Sequence, residues 1–143
     1  MRQRPSLQPA GSLWPLRALG AIALFGIAAD HLYEYFADHY VAIPTIGTLF
    51  LLNGAAGIAL GLALLLPLHR LLPARVGQPA VRVAVVAGIG LAGSTLAGLL
   101  IAESTPLFGF MEYGYRLVVV LSIVAEVAAI VSLAVLCSVL KQP

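Results

Sequence analysis

Four runs of about twenty apolar residues, separated by short polar segments, constrain this chain more than any other feature. They cover residues 16–36, 46–66, 80–101 and 117–140, and as helices with a 1.5 Å rise per residue each reaches roughly 30 Å, the thickness of a bilayer's hydrocarbon core. Inside lipid every backbone N–H and C=O must be satisfied within its own segment, so runs of this length fold as transmembrane helices. The connections, residues 37–45, 68–79 and 102–116, are short, which makes consecutive helices antiparallel neighbours. The expected fold is all-α: a single integral membrane domain over residues 1–143, built as an up-down-up-down bundle of four transmembrane helices.

Composition then sets what the chain is not. With 61% hydrophobic and only 10% charged residues, it falls far below the roughly 25% charge of soluble domains. No segment outside the four runs is long enough to bury a core of its own, which excludes a separate soluble catalytic or nucleic-acid-binding domain. The sole cysteine, Cys137, excludes an intramolecular disulfide and dithiol chemistry. There is no Walker loop, nucleophile elbow, nucleotide-binding glycine fingerprint or histidine pair at haem-ligating depth. A secretory leader ending near Ala28-Ala29-Asp30 is disfavoured, because Ile27 stands where cleavage wants a small residue and Trp14-Pro15 resembles an interfacial anchor.

The charges are one-sided. Arg2, Arg4, Arg17, Arg70, Arg75, Arg82 and Lys141 fall at the termini or in the second connection, and only Arg116 falls at the opposite end. The positive-inside rule then puts both termini in the cytoplasm and the chain in the cytoplasmic (inner) membrane as a multi-pass protein. All six carboxylates (Asp30, Glu34, Asp38, Glu103, Glu112 and Glu126) lie in the outer half or outer loops, as do His31 and His39. Tyr33, Tyr35, Phe36, Tyr40, Phe108, Phe110, Tyr113 and Tyr115 gather at the same boundary, as amphipathic rings do at headgroup level. Asp38 and His39, in the first outer loop, read as solvated surface.

Helices associate in lipid through close packing and interhelical hydrogen bonds, so small residues mark the expected contact faces. These are Gly54, Gly57 and Gly61 on span two, Gly90, Ser94, Ala97 and Gly98 on span three, and Ser122, Ala125, Ala129 and Ser132 on span four. Counted inward from the outer boundary, Asp30 lies roughly 9 Å deep, Asn53 and Ser94 roughly 10 Å and Glu126 roughly 14 Å. They read as one polar layer. A charge at that depth costs about 2.5 to 3.5 kcal/mol on insertion scales unless it is paired, protonated or hydrated. Glu126, with apolar residues on both sides from Ile123 to Ile130, is therefore either protonated or partnered, with Asp30, His31 and Asn53 the expected partners.

On span one, Asp30 and Glu34 share a helix face, and His31 and Glu34 are neighbours three apart. Two carboxylates and an imidazole on one turn suit a hard or borderline divalent ion such as Zn, Mn or Fe, with Glu112 or Glu126 completing the shell. Di-metal bundles carry Glu-x-x-His on two helices, whereas His31-x-x-Glu34 occurs once and in reverse order. The metal reading (His31, Glu34, Glu112) stands beside one in which His31 and Glu34 sit solvated at headgroup level or bonded to Tyr33 and Tyr113.

The stretch Ile43-Pro-Thr-Ile-Gly-Thr-Leu-Phe-Leu-Leu-Asn53, the histidine at the outer end of span one and Leu107-Phe-Gly-Phe-Met-Glu112 resemble an uncharacterised family of small four-span bacterial integral membrane proteins. The family pattern has His-Leu-His where this chain has His31-Leu32-Tyr33, and Gln where it has Asn53. The first difference removes one imidazole that a metal site would use. The resemblance implies a shared four-helix fold and a shared outer-side polar site, and it implies no reaction.

Two functional classes are open on the sequence. One is a binding or transport protein in which Glu126 and Asp30 exchange a proton or a cation, as a homo-oligomer in the bilayer. The other is an accessory subunit docked on a membrane-complex partner; a membrane redox enzyme with a quinone or metal centre follows. None involves nucleic acid.

Overall fold

The computed structural model describes residues 13–141, and the expectations for Arg2 and Arg4 lie outside them. It is all-α. Helix α1 spans Trp14–Phe36, α2 Ile46–Leu65, the short α3 Leu68–Leu71, α4 Ala74–Ala102 and α5 Leu117–Leu140. Among the described residues four helices are long and apolar enough to cross a membrane, α1, α2, α4 and α5. There is no strand among them. Three of the four begin or end within two residues of the sequence reading. The third starts six residues early, at Ala74 directly after the extended Pro73, and carries Pro79 inside it.

Helix α1 packs against α2 and α5, and α4 packs against α5 and α2, so the four long helices close a ring. Its core is small and aliphatic: Ala21, Leu24, Ile27, Leu64, Val85, Ala92, Ala129, Leu133 and Leu136 are buried together. Large apolar side chains such as Leu19, Ile22, Val83, Val86, Val124 and Val131 point outward. Such an exposed apolar ring would make a soluble protein aggregate and suits contact with acyl chains.

Two arginines tie the ends of neighbouring helices. Arg17, in the first turn of α1, donates from Nε to the Leu64 carbonyl (2.7 Å) and from Nη2 to the Leu66 carbonyl (2.9 Å). Arg82 donates from Nη2 to the Leu140 carbonyl (3.0 Å). Each cation therefore satisfies orphan carbonyls at the negative end of a helix dipole, α2 and α5 respectively.

Span two carries its glycines where they are needed. A Cβ on Gly57 would stand 2.9 Å from the Leu24 carbonyl oxygen and 3.0 Å from Ala28 Cβ, so α1 and α2 touch backbone to backbone there. Span three departs from expectation. Gly90, Ser94 and Ala97 are exposed, and nothing lies within 4 Å of a Cβ added to Gly90 or Gly93. The face that α4 buries runs instead through Val81, Ala84, Val85, Gly88 and Ala92. That face is itself largely small, and a Cβ on Gly88 would stand 2.7 Å from Leu133 Cδ1, so α4 does use small residues for close approach, on a face rotated from the expected one.

Candidate functional site: an acidic cavity beneath an arginine clasp

The Leu107-Phe-Gly-Phe110 segment is a tight turn. Leu107 and Phe110 exchange both backbone hydrogen bonds (2.8 and 3.0 Å), and Phe108 and Gly109 take φ of 51° and 82°. Two consecutive positive φ values are a type I′ geometry, which asks for glycine at the second place. The turn puts Leu107, Phe108 and Phe110 along one end of a cavity of about 440 Å³, between those halves of α1, α2, α4 and α5 that adjoin the 37–45 and 102–116 connections. Phe110, Tyr40, Phe50 and His31 follow one another at ring separations of 5.2, 5.1 and 4.8 Å.

Over this cavity Arg116 gathers four groups. It immediately precedes α5, and its Nη1 donates to Asp38 Oδ2 (2.8 Å) while Nη2 faces Glu112 Oε1 (3.1 Å), Tyr40 Oη (3.1 Å) and Glu34 Oε1 (3.4 Å). One Nη carries two hydrogens, so these three acceptors share them. Tyr40 in turn donates to Glu112 Oε2 (2.8 Å). The Arg116 side chain is 43% exposed, whereas those of Glu34 and Glu112 are each 8% exposed. The Asp38 hydrogen bond, with Glu112 beside it, holds the guanidinium charged well above its ordinary range. Burial, followed by the bond to Glu112 and the negative charges around it, pushes the Tyr40 phenol well above its usual value.

A folded value raised above the unfolded one means that the phenol's contribution to stability is fully present below the ordinary phenol range near pH 10 and is lost only as pH rises through the elevated value. We expect the alkaline difference spectrum between wild type and Tyr40→Phe to show no phenolate about one unit above that ordinary value. A phenolate signal near pH 10 would contradict the clasp.

The expected metal ligands are used otherwise. Glu34 and Glu112 belong to the arginine clasp, and His31 Nδ1 lies 2.9 Å from the Ile27 carbonyl oxygen, which can only accept, so this nitrogen carries the hydrogen. Among the described residues no three His, Cys, Asp or Glu side chains form a group that could hold a metal ion. Glu34 makes its bond to Arg116 rather than to Tyr33 or Tyr113, both of which are exposed. Asp38 is a partner of Arg116 rather than a freely solvated side chain.

The polar layer is assembled, with one member displaced. His31, Glu34, Asn53, Ser94, Glu112 and Glu126 all line the cavity. Glu126 is 1% exposed, and its Oε2 is buried without a hydrogen-bond partner. Asp30 lines instead an apolar groove between α1 and α5 on the outside of the ring, its Oδ2 likewise buried and unpartnered. One hydroxyl, Ser122, is the polar neighbour of both acids, and Thr95 is a second neighbour of Glu126. Both acids are therefore neighbours of Ser122, Glu126 from the cavity and Asp30 from the groove.

No protein-family model matches this chain, nor does any curated protein or solved structure. Sequence reasoning missed Arg116 and Tyr40, although a signal existed: Arg116 is the one basic residue at the end of the chain's layout that holds every carboxylate. Thr95 gave no signal, since a hydroxyl inside an apolar run ordinarily bonds its own helix.

Proposed function

We propose that this is a small multi-pass protein of the cytoplasmic membrane, termini inside, whose outer-half cavity binds a proton or a cation at Glu126 and exchanges it with Asp30 in a transport step. One observation carries this reading: the Glu126 carboxyl is buried with an unpartnered oxygen, in a cavity that no arginine or lysine lines among the described residues. A carboxylate without a counter-charge at such depth is costly, and binding a proton or a cation removes that cost.

The neighbours support proton loading. The Thr95 hydroxyl donates to the Leu91 and Ala92 carbonyls (3.0 and 3.1 Å), which leaves its oxygen as an acceptor for a carboxylic O–H. Ser122 can accept from one acid while donating to the other, the requirement for passing a proton between Glu126 and Asp30. The absence of a three-ligand cluster among the described residues favours a proton or singly charged cation over a divalent metal.

Glu126→Gln tests the reading. In reconstituted wild type, a carboxylic C=O stretch should appear and disappear with pH in infrared difference spectra, and Glu126→Gln should remove it while the protein still inserts and stays helical. An unchanged spectrum sinks the proposal. The second reading, an accessory subunit of a larger membrane complex, is favoured by the open Gly90–Gly93 side of α4. It predicts a co-purifying partner after gentle solubilisation.

A further inference from the structure

The groups lining the cavity have a one-sided hydrogen-bonding inventory. Thr95 and Ser94 both direct their hydroxyl hydrogens at α4 carbonyls, Ser94 to Leu91 at 2.9 Å. His31 uses its Nδ1–H on Ile27, so Nε2 is an acceptor. Glu126 offers a carboxyl oxygen with no partner. The donors nearby are engaged: the Arg116 nitrogens face Asp38, Glu34, Tyr40 and Glu112, and the Tyr40 O–H goes to Glu112. Free donors in the lining are the Asn53 amide, the Ser122 hydroxyl and the O–H of a protonated Glu126. Acceptors outnumber them, so a ligand that donates is matched best.

The walls say the rest. Ile46, Leu49, Phe50, Leu107 and Phe110 make most of the surface apolar, and about 440 Å³ falls within the range of small-molecule pockets. A quinone or ester would bring only acceptors to a lining in which acceptors predominate, and an anion would meet Glu126, Glu34 and Glu112. An ammonium group satisfies the acceptors, and the Phe50 and Phe110 rings are suited to contact with a cation. Leu49, Ser94 and Ala97, on the α2 and α4 sides of the lining, are exposed. The cavity thus opens between those helices, where a molecule partitioned into the bilayer can reach it.

We propose that the cavity binds a lipophilic amine as its ammonium ion, with the apolar body against α2 and the Leu107–Phe110 turn and the N–H donors on Glu126. This rests on the reading of Glu126 as the group that takes up a proton. The exchange balances: R–NH3+ enters, the Glu126 O–H bond breaks, its proton leaves to solvent, and the carboxylate pairs with the ammonium. One positive charge enters and one leaves, and Glu126 is at no point bare.

The test uses the full chain in mild detergent and three probes of one shape: 4-phenylbutylamine, the neutral 4-phenylbutan-1-ol and the anionic 4-phenylbutyrate. Calorimetry in buffers of different ionisation enthalpy reads binding and proton release together. The amine is expected to bind near one to one with release of up to one proton, and the alcohol and carboxylate at least tenfold more weakly. Glu126→Gln should weaken the amine at least tenfold and abolish the proton release. Ala97→Phe, which fills the cavity without changing charge, should block the amine yet keep the pH-dependent carboxylic band. Equal binding of the three probes, or amine binding unchanged in both variants, overturns the assignment. If the amine fails to bind while the band titrates, the amine site alone falls; if the band is absent, the reading of Glu126 falls with it.

Discussion

Arg116→Ala is expected to destabilise the protein by about 2 kcal/mol in unfolding from mixed micelles. Removing the cation from a fully buried pair costs about 3–5 kcal/mol, because the remaining charge is stranded. Here the two stranded carboxylates, Glu34 and Glu112, are buried, but the guanidinium itself is 43% exposed and solvent already screens it, so the lower figure applies. Arg116→Lys should recover only part of the loss. An ammonium is a point charge and cannot span Asp38 on one side and the Glu112–Tyr40 pair on the other. Asp38→Asn, at the exposed end of the clasp, should cost less than about 1 kcal/mol.

The pH dependence of that variant carries the sign. The clasp raises the Arg116 value, so the stabilisation attached to the arginine is fully present below its ordinary range and is lost only as pH rises beyond it, outside working conditions. Acid pH acts through the carboxylates instead. Without Arg116, adding protons to the stranded acids removes the repulsion, and the gap between variant and wild type should narrow as pH falls. A variant within about 0.5 kcal/mol of wild type at neutral pH would mean that the clasp does not hold the 37–45 and 102–116 connections.

Gly57→Leu is expected to have the larger effect of the two, above about 3 kcal/mol, by forcing α1 and α2 apart. An added methylene in a tight contact typically costs about 1–3 kcal/mol, and here the first obstacle is the Leu24 carbonyl oxygen 2.9 Å away, which no rotamer change can move. The whole Leu side chain adds three further carbons. The control is Gly90→Leu, on a helix of equal apolarity but with nothing within 4 Å of its new Cβ. It should leave the monomer's stability within about 1 kcal/mol, with any change in the stabilising direction that follows from replacing glycine in a helix. Equal effects at the two positions would refute the assignment of α1 and α2 as the closest pair.

The contrast between these glycines marks how far the sequence could be read. Both occur in glycine-rich apolar runs, and nothing in their spacing separates Gly57, clamped against α1, from Gly90, facing outward. The small-residue pattern states that close approach is allowed and leaves open which helix uses it. Likewise the depth arithmetic brought Asn53, Ser94 and Glu126 to one level, and they do line one cavity, but it carried no rotational information. Asp30 lies at a similar level and faces the α1–α5 groove, because the helix turns about 100° per residue and depth alone does not say which side is reached.

The Arg116 contacts of Glu34, Glu112 and Asp38 were illegible for the same reason. Glu34 belongs to the end of α1, Glu112 to the loop before α5, and their shared partner Arg116 lies 82 residues from the first. Local spacing grouped Glu34 with His31 on one turn and suggested a ligand set; the tertiary structure sets Glu34 beside a cation at the start of the neighbouring helix α5, far away only along the chain.

Apolar run length, through the demand that backbone groups be satisfied inside lipid, by itself determined four long helices and their approximate ends. Only the packing of those helices decided which acids meet an arginine and which, like Glu126, meet none. Lipid treats every apolar face alike, so the side that turns inward is chosen by the shape of the neighbouring helix, and that information is spread over residues far apart in the chain.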